Sequence, residues 1–216
     1  MSKHPTGMSQ IALPLGPVGP GGAARIVVGE ANAAAIAALG ATTDWPFRTA
    51  ILFGPPRSGK SLIARWFVEQ GGGEAVDDAD HADETALFHR WNRAQESGIP
   101  LLLTATAMEG EGEGGWHIAL PDLRSRLGAA LRLEIGVPDD AMLADLIAAH
   151  AEARSLAIGE EGVRYLASRA ERSHLGAERL IATIDRLSLE RKSAPGPAIW
   201  REALEEITGP VEPELF

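Results

Sequence analysis

The sequence contains no cysteine. That absence excludes disulfides and thiolate metal sites, and it suits a reducing compartment. No stretch approaches the roughly 20 consecutive apolar residues that cross a bilayer. The opening "MSKHPTGMSQ" has no apolar run behind its positive charge, so a signal peptide is not expected. Basic charge is also short: 20 Lys and Arg stand against 30 Asp and Glu, a net charge of −10. A surface of that sign repels a phosphate backbone, which argues against direct, strong DNA binding. The six histidines are scattered without metal-ligand spacing, and no internal repeat is visible. These absences leave a soluble, cytoplasmic protein as the expectation, with no membrane partner.

What is present is enough for a core. The chain has 216 residues, 45% of them hydrophobic, which fits one α/β domain with a small helical appendage. Residues 1–24 hold four prolines and several glycines and read as a flexible arm. Inside it lies "QIALPL", Gln10 to Leu15, an apolar hexapeptide just before "GPVGPGG". As a strand it would expose Gln10 and put Pro14 where a ladder donor is needed. Taken alone, it reads equally as a hook for another protein or as a tail.

Order is expected from "RIVVGEANAAAIAALG", a β-branched run followed by an alanine-rich helix that stops at Gly40. "AILF" and "IPLLLTATA" read as buried strands, "EAVDDAD" as a short strand breaking into acids, and "LRLEIG" as a further strand. "ADETALFHRWNRAQESG" is an amphipathic helix with Leu87, Phe88, Trp91 and Ala94 on one face, and "LPDLRSRLGAA" opens another after Pro121. From Pro138 four helical segments follow one another. The division expected is an arm (1–24), an α/β nucleotide-binding domain (25–136), a helical lid (137–208) and a tail (209–216).

"GPPRSGKS" matches G-x-x-x-x-G-K-[ST] between a strand and a helix, the setting that motif requires. Gly54 and Gly59 let the backbone turn its N–H groups around a phosphate, and Pro55, Pro56, Arg57 and Ser58 complete the cradle. Lys60 reaches the β/γ oxygens, and the Ser61 hydroxyl is a ligand for Mg²⁺. The cofactor implied is ADP or ATP with Mg²⁺. A second acidic position is expected on a neighbouring strand, and "AVDD" supplies it. Asp77 would hold the magnesium through water, and Asp78 would polarise an attacking water. The alternative for this acid cluster is capping of the helix that follows.

The order of phosphate loop, paired acids, "LLLTATA", "LPDLRSRLG" and helical lid resembles AAA+ ATPases of the DnaA branch. Within that branch it is similar to the Hda (HdaA) type of the alphaproteobacteria, DnaA-related proteins of regulatory inactivation of the replication initiator. The resemblance runs from Gln10 to about Glu206, and "QIALPL", "VVGEAN", "GPPRSGKS", "ALFHRWN" and "LPDLRSRL" carry it. It implies an AAA+ P-loop parallel sheet followed by a helical lid. It also implies that Val28 and Asn32 pack near the adenine, that Thr104 or Thr106 orients water or γ-phosphate, and that Arg126 is an arginine finger acting in trans. Such a finger is worth about 10³ to 10⁵ in rate. Without the resemblance, Arg126 reads as a surface arginine paired with Asp122 at i−4. "QIALPL" is similar to the Q-x-x-L-P-L peptide that docks on the DNA polymerase III sliding clamp (β subunit). Gln10, Ile11, Leu13, Pro14 and Leu15 would be its clamp-binding residues. The function implied is a nucleotide-bound regulator of DNA replication initiation with weak or no ATPase of its own. It activates ATP hydrolysis by DnaA, and a homo-oligomer is compatible with that role. A stand-alone P-loop kinase or NTPase acting on a small molecule is the rival reading, and a loader-like protein touching DNA is a third.

Two departures from the family pattern stand out. Only fifteen residues (62–76) separate Ser61 from Asp77, which leaves room for a sheet one strand short. Glu178 stands where the DnaA pattern has a nucleotide-sensing arginine, and the adjacent Arg179 points about 100° away around the helix. A carboxylate facing a γ-phosphate is unfavourable, which fits a chain that holds ADP and lends its arginine to a partner.

Overall fold

The computed structural model describes residues 12–14, 25–106 and 116–209. Its strands are β1 (Ala12–Pro14), β2 (Arg25–Val27), β3 (Thr49–Phe53), β4 (Glu74–Val76), β5 (Leu101–Ala105) and β6 (Leu131–Glu134). Its α-helices are α1 (Glu30–Leu39), α2 (Lys60–Glu69), α3 (Glu84–Ser97), α4 (Pro121–Gly128), α5 (Asp140–Ala153), α6 (Glu160–Ala167), α7 (His174–Arg191) and α8 (Pro197–Thr208).

β3 and β5 are unbroken apolar or small-residue runs, buried at every position, as strands covered on both faces must be. They form the middle of a parallel sheet in the order β4-β5-β3-β6, four strands among the described residues. The chain passes from α2 through Gly71–Gly73 directly into the edge strand β4. The short 62–76 segment therefore holds one helix and one three-residue strand.

Side chains alternate across the sheet with the two-residue period of a strand. Ile51, Phe53, Leu101 and Leu103 pack on one face with Leu87 and Trp91 of α3 and Leu123 and Leu127 of α4. Ala50, Leu52 and Leu102 pack on the other with Ile63 and Phe67 of α2, Leu39 of α1 and Ile26 of β2. A third core lies within the last four helices, where Leu143, Ile147, Leu180, Ile181, Ile184 and Ile199 meet. The helix boundaries have local causes. Asp83 accepts a hydrogen bond from the Ala86 amide to start α3, Asp139 from Met142 to start α5, and Ser173 from Gly176 to start α7. The Asp83 cap also realises part of the alternative reading of the acid cluster.

One expectation needs correction. Residues 12–14, assigned to the arm, form a strand: β1 pairs antiparallel with β2, Leu13 opposite Ile26 and Pro14 opposite Arg25. Pro14 is tolerated because it is the last residue of a short edge strand in a two-stranded ribbon. Gln10, Ile11 and Leu15 of the clamp-peptide reading lie outside the described residues, as do the glycine-rich loop 107–115 and the tail from 210.

Candidate nucleotide-binding site

Because the sheet is parallel, the C-terminal ends of β3, β5 and β4 come out along one edge, and the candidate residues follow them there. β3 ends at Phe53 and the loop 54–59 leads straight into the N-terminus of α2. Gly59 adopts φ +89, a left-handed conformation that side chains rarely take. A Cβ on Gly54 would come within 2.8 Å of Ser58 Oγ, so the loop closes only around glycine there. Lys60 is 6% exposed, and its ammonium donates to the carbonyls of Gly54 and Pro55 at 2.9 and 3.1 Å. Burial lowers its pKa, with Asp78, Asp80 and Asp77 opposing the shift by their charge.

The fit of this cradle to a polyphosphate can be tested on the loop itself. Gly59 in its left-handed state turns the chain into α2 so that the helix's first amides face the loop, and the buried Lys60 ammonium lies within it. Backbone donors at a helix N-terminus together with a buried ammonium are the groups that suit a polyphosphate. The residues present fit the group.

At the end of β5, Thr104 is fully buried and uses its hydroxyl twice. It donates to Asp77 Oδ1 at 2.5 Å and accepts from the Asp78 amide at 2.9 Å. Thr104 thus pins the acid pair, with Asp78 itself at φ +48. Thr106 is exposed and its amide donates to Asp80 Oδ2 at 2.8 Å. Asp80, whose side chain is 7% exposed, was missed by sequence reasoning. It ties the end of β5 to the β4 side as Thr104 does, and only its place in the run of acids hinted at it. Asp77, Asp78 and Ser61 are exposed beside the loop. Ser61 and Asp77 offer a hydroxyl and a carboxylate, a donor set that suits a magnesium ion completed by phosphate and water.

Next to the loop is a cavity of about 420 Å³, walled by Ile26 and Val27 of β2, Leu62 and Ile63 of α2, and Met142, Leu146 and His150 of α5. Asn32 reaches its wall, but both ends of its amide are committed: Oδ1 accepts from Gly29 N and Nδ2 donates to the Val27 carbonyl, at 3.0 and 2.9 Å. Asn32 therefore fixes the turn between β2 and α1, while Val28 packs into the core beneath. His150 and His174, also cavity residues, were set aside in the sequence as scattered. Burial lowers the pKa of both, so they stand as neutral imidazoles at neutral pH.

Two arginines stand elsewhere than expected. Arg126 on α4 is half-buried, its guanidinium 4.6 Å from the Phe88 ring centroid and 4.4 Å from that of Trp91, and it donates to Asn92 Oδ1. It turns to α3 rather than to Asp122 one turn back. Arg57 of the loop donates through Nε and NH2 to both carboxylate oxygens of Glu178. That pairing raises the pKa of Arg57 and lowers that of Glu178. Glu178 is thus not a bare carboxylate above the loop, as its place in the pattern suggested.

No protein-family model matches the chain, and no curated protein matches it. Solved structures do. Domain III of the Thermotoga maritima replication initiation protein DnaA superposes with a TM-score of 0.68 at 14% identity, over 86% of this chain and 95% of that one. The fold is the AAA+ P-loop fold. A replication initiator DnaA bound to AMPPCP and single-stranded DNA shares the fold at a TM-score of 0.54 and 16% identity, over 76% of this chain and 65% of that one. Thermotoga maritima RuvB, a Holliday junction branch migration motor, shares it at 0.52 and 18%, over 73% of this chain and 61% of RuvB. No helix among the described residues of this chain is long and apolar enough to cross a membrane.

Proposed function

We propose that this chain is a nucleotide-holding AAA+ regulator of replication initiation, of the Hda type, that acts on DnaA from the polymerase sliding clamp. The observation that carries the reading is the loop 54–61, with its buried Lys60 and its left-handed Gly59 at the start of α2, set in a fold shared with domain III of a DnaA. In this reading residues 25–136 form the nucleotide-binding domain and 137–208 the lid, a division supported by the separate core of the last four helices.

The loop amides, Lys60 and Ser58 hold the phosphates of ADP or ATP, and the apolar cavity between β2, α2 and α5 takes the base. Ser61 and Asp77 hold Mg²⁺, which supplies charge neutralisation between the phosphates when bound. Thr104 keeps Asp77 and Asp78 at the mouth of the loop. Gln10 to Leu15 dock on the clamp once residues 12–14 have left their pairing with β2, and Leu13 and Leu15 then fill an apolar pocket. Arg126 is the group offered to ATP on DnaA, where it stabilises charge on the transferred phosphoryl group. To reach it, the guanidinium leaves Phe88 and Trp91, at a cost of about 1 kcal/mol for each exposed cation–π contact. A small-molecule kinase would instead need a cationic lid over the phosphates, and here the lid presents Glu178 to the loop.

The test is ATP hydrolysis by DnaA in the presence of clamp loaded on DNA. Arg126→Ala is expected to lose stimulation by at least about a hundredfold while keeping nucleotide and clamp binding. Asn92→Ala, which frees the guanidinium without removing it, should stimulate as well as the parent chain. Gln10→Ala with Leu13→Ala should lose both clamp pull-down and stimulation. Full stimulation by Arg126→Ala would remove the finger assignment.

A further inference from the structure

The Arg57–Glu178 pair joins residues 121 apart in sequence, one on the phosphate loop and one on the second turn of α7. Its geometry is the parallel fork in which a guanidinium and a carboxylate match best. Glu178 is mostly covered, with a side chain 17% exposed, and Arg57 remains 60% exposed. Arg57 also holds φ +66, a backbone state that glycine takes without strain. From that turn its side chain reaches across to the lid.

The position of the pair gives it a consequence. α5 and α7 share one core, through Leu143, Ile147 and Ala151 against Leu180, Ile181 and Ile184. α5 in turn forms one wall of the cavity with Met142, Leu146 and His150, and Arg57 lines the same cavity. Whatever holds α7 to the loop therefore holds α5 over the cavity. Among the described residues, other contacts across this junction include an exposed Arg25–Glu152 ion pair at 3.7 Å, the approach of His174 Nε2 to the Gly136 carbonyl oxygen at 3.3 Å, and the packing of Met142 of α5 against Gly29. None of the three involves a residue of the phosphate loop.

We infer that Arg57 and Glu178 form a clasp that closes the helical bundle over the loop and limits the rate at which a bound nucleotide escapes. Both charges belong to the chain, so closure does not depend on a terminal phosphate, and di- and triphosphates are retained alike. Glu178 is a positioning residue here: it acts through Arg57 and through the bundle. The inference rests on the nucleotide-binding reading of the loop.

Glu178→Gln removes one charge and leaves the loop intact. Release of N-methylanthraniloyl-ADP and of the corresponding triphosphate is followed by stopped-flow fluorescence, and amide exchange of 54–61 and 174–185 by mass spectrometry without nucleotide. Glu178→Gln is expected to speed release of both nucleotides by a similar factor, about fivefold or more, and to raise exchange in both segments. High salt should do the same to the parent chain, because the pair is half exposed. The exchanged pair Arg57→Glu with Glu178→Arg should return α7 exchange towards the parent value. Unchanged release and exchange in Glu178→Gln would overturn the clasp, and so would faster release of the triphosphate alone. Failure of the parent chain to bind either nucleotide would instead remove the nucleotide-binding reading, and the exchange comparison would still decide the clasp.

Discussion

Gly73 shows how much one missing methyl decides. It holds φ +153, and a Cβ placed on it would lie 2.2 Å from the carbonyl oxygen of Pro100. That same oxygen accepts the hydrogen bond from the Glu74 amide at 2.9 Å that starts the pairing of β4 with β5. A methyl at 73 has to push Pro100 away, and the edge of the sheet goes with it. Gly71, at φ +74, has open space around its Cβ position. Gly73→Ala should therefore cost about 3 kcal/mol or more, and Gly71→Ala only the left-handed strain of about 1 kcal/mol, both read from urea unfolding midpoints. Equal losses would mean that the contact with Pro100 relaxes freely.

At the scale of elements, the helix α7 and the turn before it couple the lid to pH. His174 is buried at the first position of α7, and His150 of α5 faces the same cavity. Burial lowers the pKa of each; Lys60 lowers His174 further while the Gly136 carbonyl opposes. For His150, Glu178 opposes while Arg154, Arg57 and His174 add to the shift. An imidazole with a depressed folded pKa contributes stability that is complete above its unfolded value near 6.5 and is lost as pH falls towards the folded pKa. Glu178, with a lowered carboxylate pKa, contributes stability above about 4.5 and loses it only below. Unfolding midpoints should thus decline as pH falls below about 6.5, by at most about 1.4 kcal/mol per pH unit for each imidazole. His150→Gln with His174→Gln should flatten that part of the profile and leave the acid limb near pH 4 in place. A slope that persists in the double variant would assign it to other groups. These elements were readable to different depths. β3, β5, the loop and α1 to α8 announce themselves through apolar runs, caps and terminal glycines, because those signals are local. The β1–β2 ribbon, the turn of Arg126 to Asn92 and the Arg57–Glu178 pair were not readable, since they join residues far apart and depend on how the layers dock. Asn32 was named from the resemblance, but its role as the fastener of its turn was not readable.

For the whole molecule, charge and fold point in different directions. Two of the structures that share the fold are a DnaA bound to single-stranded DNA and a branch migration motor, whereas this chain carries a net charge of −10. The arrangement of the arginines adds to the deficit. Arg186 is shared between Glu190 and Glu206, Arg191 pairs with Glu202, Arg172 with Asp140, and Arg90 with Glu74. Each exposed pair is worth little to stability, but each must be broken before its guanidinium can replace a counterion on a phosphate. Non-specific protein–DNA contacts hold at about 10⁻⁴ to 10⁻⁶ M through such counterion release, and these paired arginines are not free to supply it. Fluorescence anisotropy with a single-stranded oligonucleotide is expected to show dissociation constants weaker than about 10⁻⁴ M near physiological salt, with a shallow dependence on ionic strength. Adding the clamp loaded on DNA should recruit the chain, and Gln10→Ala with Leu13→Ala should abolish that recruitment. Tight binding to naked DNA with a steep salt slope would replace the clamp-borne regulator with a module that engages DNA itself.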